Sequence, residues 1–178
     1  MSKIISRDTV FSGRVLDVAV EVHEMPDGRM SSFEIVRHPG GAAVLPVLPD
    51  GRILLIRQFR PTIGEMIYEI PAGRLEPGES AHECAGRELI EEAGYSAAQI
   101  LPLGGLWSTV GFCDEYIHLF LAHDLTLVEQ NLEPDEFIDL CPMTLAEALG
   151  KIEGHEILDS KTQLALLRFQ RICTENAQ

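Results

Sequence analysis

Three glutamates crowd one end of "PAGRLEPGESAHECAGRELIEEAGY", Pro71 to Tyr95, and no other stretch constrains the fold as tightly. Ser80 and Glu83 form a capping box, which predicts a helix of about 14 residues ending at Gly94. At about 100° per residue, Glu92 lies roughly 40° to one side of Glu88 and Glu91 roughly 60° to the other. The three carboxylates therefore share one helix face. Ala81, Cys84 and Ala85 lie on the same side and are small enough to admit another stretch of backbone. Leu89, Ile90 and Ala93 fall on a neighbouring arc and are expected to dock the helix on a core.

Two explanations fit the cluster. It is a solvated acidic face, with Arg87 pairing to Glu83 and Glu91 at helical spacing. Or it holds cations. The second is favoured because the glutamates sit in the C-terminal half, where the helix dipole disfavours negative charge. Oxygen-ligated divalent ions relieve such crowding and leave positions for water and phosphate. Gly73 and Gly78 bracket a tight turn whose carbonyls can complete a coordination shell, with Glu79 just before the cap. The net charge of -14 points the same way. Such a chain repels a nucleic-acid backbone and needs bridging cations to handle a phosphate-bearing small molecule.

Gly73, Glu79, Arg87-Glu88-Leu89, Glu91-Glu92 and Gly94 stand at spacings that closely resemble the Nudix box. Eight positions match, and a chance match anywhere in the chain is on the order of 10⁻⁷ at average residue frequencies. Tyr95 departs from the family's aliphatic residue at a packing position. The resemblance implies an enzyme that hydrolyses nucleoside diphosphates linked to another moiety, with a loop-helix-loop metal site. It implies Glu88, Glu91 and Glu92 as ligands of Mg²⁺, with Mn²⁺ as a substitute. Arg87 would hold the glutamates by ion pairing, and Glu79 would support them.

"RQFRP" (Arg57 to Pro61), "YEIPAG" (Tyr68 to Gly73) and "RHPGGAAVLPV" resemble the ADP-ribose pyrophosphatase branch. That resemblance implies Arg60 and Glu69 as substrate-binding residues and the Ala72 carbonyl as a metal ligand. It implies a homodimer in which the N-terminal strands cross to the other subunit and the base is held at the interface. In "STVGFCDEYIHLFLA" the branch usually has Ser-Pro-Gly, so Val110 replaces an expected proline. Glu115 falls at the position of the catalytic carboxylate outside the box, with Asp114 a weaker candidate. The expected catalytic set is thus Glu115, Glu91 and Arg87.

The remainder reads as one domain with a small appendage. Residues 1–40 read as an N-terminal antiparallel β segment with a "PDG" turn at Pro26 to Gly28, expected to form the dimer. Residues 41–178 read as the hydrolase domain, an α/β fold of the Nudix α/β/α sandwich type with a mixed sheet. A second hairpin is expected around "PDG" at Pro49 to Gly51. Further capping boxes at Thr144/Glu147 and Ser160/Gln163 open a short helix ending near Gly150 and a terminal helix. Cys84, Cys113, Cys141 and Cys173 form no C-x-x-C pair and are expected as reduced, mostly buried thiols. No signal peptide or membrane span is evident, so a cytoplasmic protein is expected. The six histidines do not cluster, and "EPDEF" (Glu133 to Phe137), which could reach the site late in the fold, reads first as a solvated turn. The leading expectation is ADP-ribose hydrolysis to AMP and ribose 5-phosphate. The rivals are another sugar nucleotide such as a GDP-hexose, a broad-specificity housecleaning activity, and a Nudix-fold sensor without turnover.

Overall fold

The computed structural model describes residues 3–134 and 136–176. Their contacts separate two units. One comprises the chain up to Gly40 with Trp107–Tyr116; the other comprises Gly41–Leu106 with the chain from Ile117 onward.

The first unit is an antiparallel sheet of β1 (Lys3–Ser12), β2 (Asp17–Glu24) and β3 (Met30–Arg37), in the order β1-β2-β3. The "PDG" turn joins β2 to β3. Gly28 adopts φ 83 there, a left-handed conformation that glycine takes without strain. Every residue of β1 is exposed, including Ile4, Ile5, Val10 and Phe11. At the centre Glu21 is fully buried, and its carboxylate accepts from Arg7 at 2.6 Å, Arg37 at 2.6 Å and His23 at 2.9 Å. Arg37 also pairs with Asp114 at 2.8 Å, and the His38 amide donates to the same carboxylate. These contacts tie the 107–116 segment to β3.

The second unit contains β4 (Gly41–Pro46), β5 (Ile53–Arg60), β6 (Glu65–Glu69), β7 (Ala72–Arg74), α1 (Ala81–Ala93), β8 (Tyr95–Trp107), β9 (Tyr116–Leu127), β10 (Ile138–Met143), α2 (Leu145–Glu153) and α3 (Ser160–Asn176). One sheet runs β7-β4-β9-β8, with β4 parallel to β9 and antiparallel to β7; a second runs β10-β5-β6, antiparallel throughout. All six residues of β4 are buried, as a strand covered on both faces requires. Ala43 and Leu45 pack with Ala148 of α2 and with Ala165 and Leu166 of α3. Ala42 and Val44 face the other way, onto Cys84, Ala85, Leu89 and Ala93 of α1. A sheet between α1 and the α2/α3 pair is the expected α/β/α sandwich.

Five local expectations need correction. The Pro49–Gly51 turn forms, closed by the Val47–Ile53 bridge and by the Leu48 amide donating to the Arg52 carbonyl, but β4 and β5 enter different sheets. Pro46 and Pro49 carry no amide hydrogen, so a ladder cannot run through them. Helix α2 continues past Gly150 to Glu153 and ends at Gly154. Helix α3 is capped by Asp159 rather than Ser160, since that carboxylate accepts from the Thr162 amide and hydroxyl. Ile90 is exposed, and of the cysteines only Cys84 is fully buried. The capping boxes at Ser80 and Thr144 form as expected.

Candidate active site

The α1 helix carries the site because its two ends are fixed. Ser80 and Glu83 satisfy its N-terminal amides, and Gly94 closes it in the left-handed conformation at φ 70. Leu89 and Ala93 anchor one face in the core. The small residues do admit backbone: the Cys84 thiol lies 3.6 Å from the Gly73 carbonyl and 3.5 Å from that of Arg74. Burial, with help from Glu79 and Glu88, pushes that thiol up to about 12, so it stays protonated and unreactive.

Glu88 and Glu92 are buried, whereas Glu91 is about one-third exposed. Arg87 is the cation that meets them. It donates to Glu88 at 2.6 Å and Glu91 at 2.8 Å through one nitrogen, and grips Glu79 at 2.8 Å and 3.1 Å through the others. It also donates to the Arg74 carbonyl at 3.1 Å, closing the Gly73–Glu79 loop against the helix. Glu92 accepts from the Ala72 amide at 2.8 Å. Gly73 lies against the Glu88 carboxylate, and a Cβ there would overlap its oxygens. Ala72, Gly73, Glu88 and Glu92 are thus brought together.

Positive charge near Glu88 and Glu92 does not offset their burial. Burial pushes Glu88 up to about 7 despite Arg87, and Glu92 up to about 8 despite the Ala72 amide. The negative charge of Glu136 pushes both in the same direction. Among the described residues, no three acidic, His or Cys side chains already surround a point in ion-binding geometry. Arg87 holds the space between Glu88 and Glu91 instead. The donor set nevertheless suits a hard divalent cation: carboxylate oxygens, too few positive partners, and glycine backbone leaving room beside Glu88.

Arg60 and Glu69 pair at 2.5 and 2.8 Å in a bidentate bond. Glu69 is about 1% exposed, so it meets solvent hardly at all, whereas the Arg60 side chain is about 37% exposed. The charge of Arg60 also reaches Glu92 and favours its ionised form. The solvent-facing member of this pair is therefore Arg60, with Glu69 behind it.

Glu115 belongs to the first unit. Its carboxylate lies 3.5 Å from His38 Nδ1, and its carbonyl accepts from the Ser108 amide. The same unit encloses a cleft of about 370 Å³ lined by His23, Phe33, Arg37, Val110, Phe112 and Asp114 among others. In the sequence "EPDEF" reads first as a solvated turn and second as a segment that could reach the site late in the fold. Asp135 lies outside the described residues, but Glu136 acts electrostatically on both buried glutamates. An acidic turn directly before a strand was the available signal, and it was too common to single Glu136 out.

A sandwich carrying a glycine loop and a carboxylate-bearing helix on one edge defines a class of hydrolase. The model of the NUDIX domain matches residues 37–162, so the chain belongs to the Nudix hydrolase family. Members of this family use divalent metal ions. The chain is 42% identical to the ADP-ribose pyrophosphatase of Bacillus subtilis (strain 168), over 94% of this chain and 92% of that protein. It is 43% identical to the methanol dehydrogenase activator of Bacillus methanolicus, with the same coverage of both chains. A crystal structure of an ADP compounds hydrolase shares the fold, with a TM-score of 0.85 at 23% identity over 98% of this chain and 95% of that one. Among the described residues, no helix is long and apolar enough to cross a membrane.

Proposed function

We propose that this chain hydrolyses the pyrophosphate bond of a nucleoside diphosphate sugar with Mg²⁺, and that ADP-ribose is its substrate. The observation that carries this reading is the convergence of buried Glu88 and Glu92, the Gly73 backbone and the half-exposed Arg60 on one edge of the sandwich. The likeness to the Bacillus subtilis ADP-ribose pyrophosphatase supports the choice of sugar nucleotide.

Glu88, Glu91, Glu92 and the Ala72 carbonyl would hold the cations, Mn²⁺ serving in place of Mg²⁺. When bound, such ions neutralise a pyrophosphate and acidify an attacking water. Arg60 holds a phosphate oxygen. Arg87 keeps Glu79, Glu88 and Glu91 in register through four hydrogen bonds. Water oxygen bonds to one phosphorus, the bridging P–O bond breaks, and a carboxylate takes the proton. Glu115 is the proposed acceptor, because a carboxylate beside bound cations is a poor base. Glu136 is its rival. The products are AMP and ribose 5-phosphate. Two chains would pair through their N-terminal strands in the cytoplasm, with the base held at that interface.

A sugar-nucleotide panel, with phosphate release coupled to a phosphatase, tests the reading with and without Mg²⁺. ADP-ribose should give the highest kcat/KM, and omission of metal should abolish turnover. A preference for a GDP-hexose would retain the chemistry and reassign the substrate. A flat profile would indicate the housecleaning activity, and no turnover the sensor.

A further inference from the structure

Lys161, in the first turn of α3, is only about 8% exposed, an unusual position for an ammonium group. Its Nζ donates to Glu69 Oε2, the oxygen that also accepts from Arg60, and lies 3.1 Å from Asp159. Burial pushes Lys161 down, but Asp159 and Glu69 outweigh it and hold it above its ordinary value, so it is charged. Thr162 fastens the same turn to the substrate-side strand segment: its hydroxyl accepts from the Ile70 amide at 2.9 Å and donates to Asp159 at 2.6 Å. Each group in the chain Asp159–Lys161–Glu69–Arg60 is thus held by the next.

Stability does not explain this arrangement. A buried ion pair is commonly matched or bettered by apolar side chains of the same size. Nor does Glu69 need Lys161 for pairing, since Arg60 already meets both its oxygens. What Lys161 adds is a second cation on the Glu69 oxygen that Arg60 also uses. It fixes that carboxylate, and it shares the negative charge that would otherwise fall on Arg60 alone. The guanidinium at the outer end remains half-exposed, with its field on Glu92.

We propose that Lys161 is a positioning residue for the reaction, aligning the Arg60 guanidinium through Glu69 for a phosphate group of the substrate. The inference rests on the reading of Arg60 given above.

Lys161→Met, Lys161→Gln, Arg60→Gln and the Arg60→Gln/Lys161→Met double variant test it. ADP-ribose affinity is measured by calorimetry in EDTA, and KM and kcat are measured in Mg²⁺. Lys161→Met should weaken ADP-ribose binding and raise KM by about 5- to 10-fold, with kcat within about 3-fold, the pattern of lost alignment at a binding group. Lys161→Gln retains a donor and serves if the methionine variant does not fold. In the Arg60→Gln background, loss of Lys161 should change KM by less than about 2-fold, because the two act as one unit. Two effects that multiply, or an unchanged KM in Lys161→Met, would overturn the inference alone. Normal ADP-ribose binding by Arg60→Gln would remove the underlying reading and the inference with it. Failure of both Lys161 variants to fold would assign the residue to the fold and overturn the positioning role.

Discussion

The proposed site is tightest around Glu88. Gly73 has no side chain because the Glu88 carboxylate occupies that space. Gly73→Ala should displace a flexible carboxylate more than the backbone, so the fold survives while at least about tenfold in kcat is lost. Thermal unfolding beside steady-state kinetics would check this, and a large fall in Tm with normal kcat would contradict it. The proton acceptor separates Glu115 from Glu136. Glu115→Gln is expected to lower kcat strongly while KM and the Mg²⁺ requirement stay within a few-fold. If Glu115→Gln is near-normal and Glu136→Gln is crippled, the role passes to Glu136. The box was legible because its glutamates Glu88, Glu91 and Glu92 lie within one helix, where spacing fixes the face. Glu136 and Lys161 were not, because only folding brings them there: Lys161 meets Glu69 across 92 positions.

Secondary-structure elements were readable where local chemistry determines them and unreadable where pairing does. The capping boxes at Ser80 and Thr144 and the stop at Gly94 are local hydrogen-bond patterns. The separation of β4 from β5 depends on which distant strands each one meets, and the alternation of residues contains no such information. Strand β2 carries an acid-sensitive element of its own. Burial raises the Glu21 carboxyl, but Arg37, His23 and Arg7 outweigh that and hold it at about 2, against an ordinary 4.5. A folded value below the unfolded one stabilises the fold fully above about pH 4.5, and the contribution is lost as pH falls toward about 2. Glu21→Gln should therefore cost at least about 1 kcal/mol near neutrality and flatten the acid limb of Tm against pH. An acid limb identical to the parent's would show that other carboxylates set it.

At the scale of the whole molecule, the N-terminal sheet is the feature in need of a partner. Strand β1 exposes Ile4, Ile5, Val10 and Phe11, and exposed apolar strand surface of this kind is usually covered. A two-fold pair of chains is the proposed cover, two-fold pairs being the commonest soluble symmetry. Light scattering should give about twice 19.7 kDa, and a fully active monomer would exclude a site shared between subunits.

The buried glutamate pair is proposed to support metal-dependent cleavage of a pyrophosphate. Phosphorus NMR of ADP-ribose mixed with the parent enzyme and with Glu92→Gln tests it in one measurement. In Mg²⁺ the parent should convert the two coupled pyrophosphate signals into the separate monophosphate signals of AMP and ribose 5-phosphate. The same sample in EDTA should stay unchanged, and Glu92→Gln should be slower by at least about 10²-fold while remaining folded. Parental rates from Glu92→Gln in saturating Mg²⁺, or an intact pyrophosphate after prolonged incubation with the parent, would contradict the account.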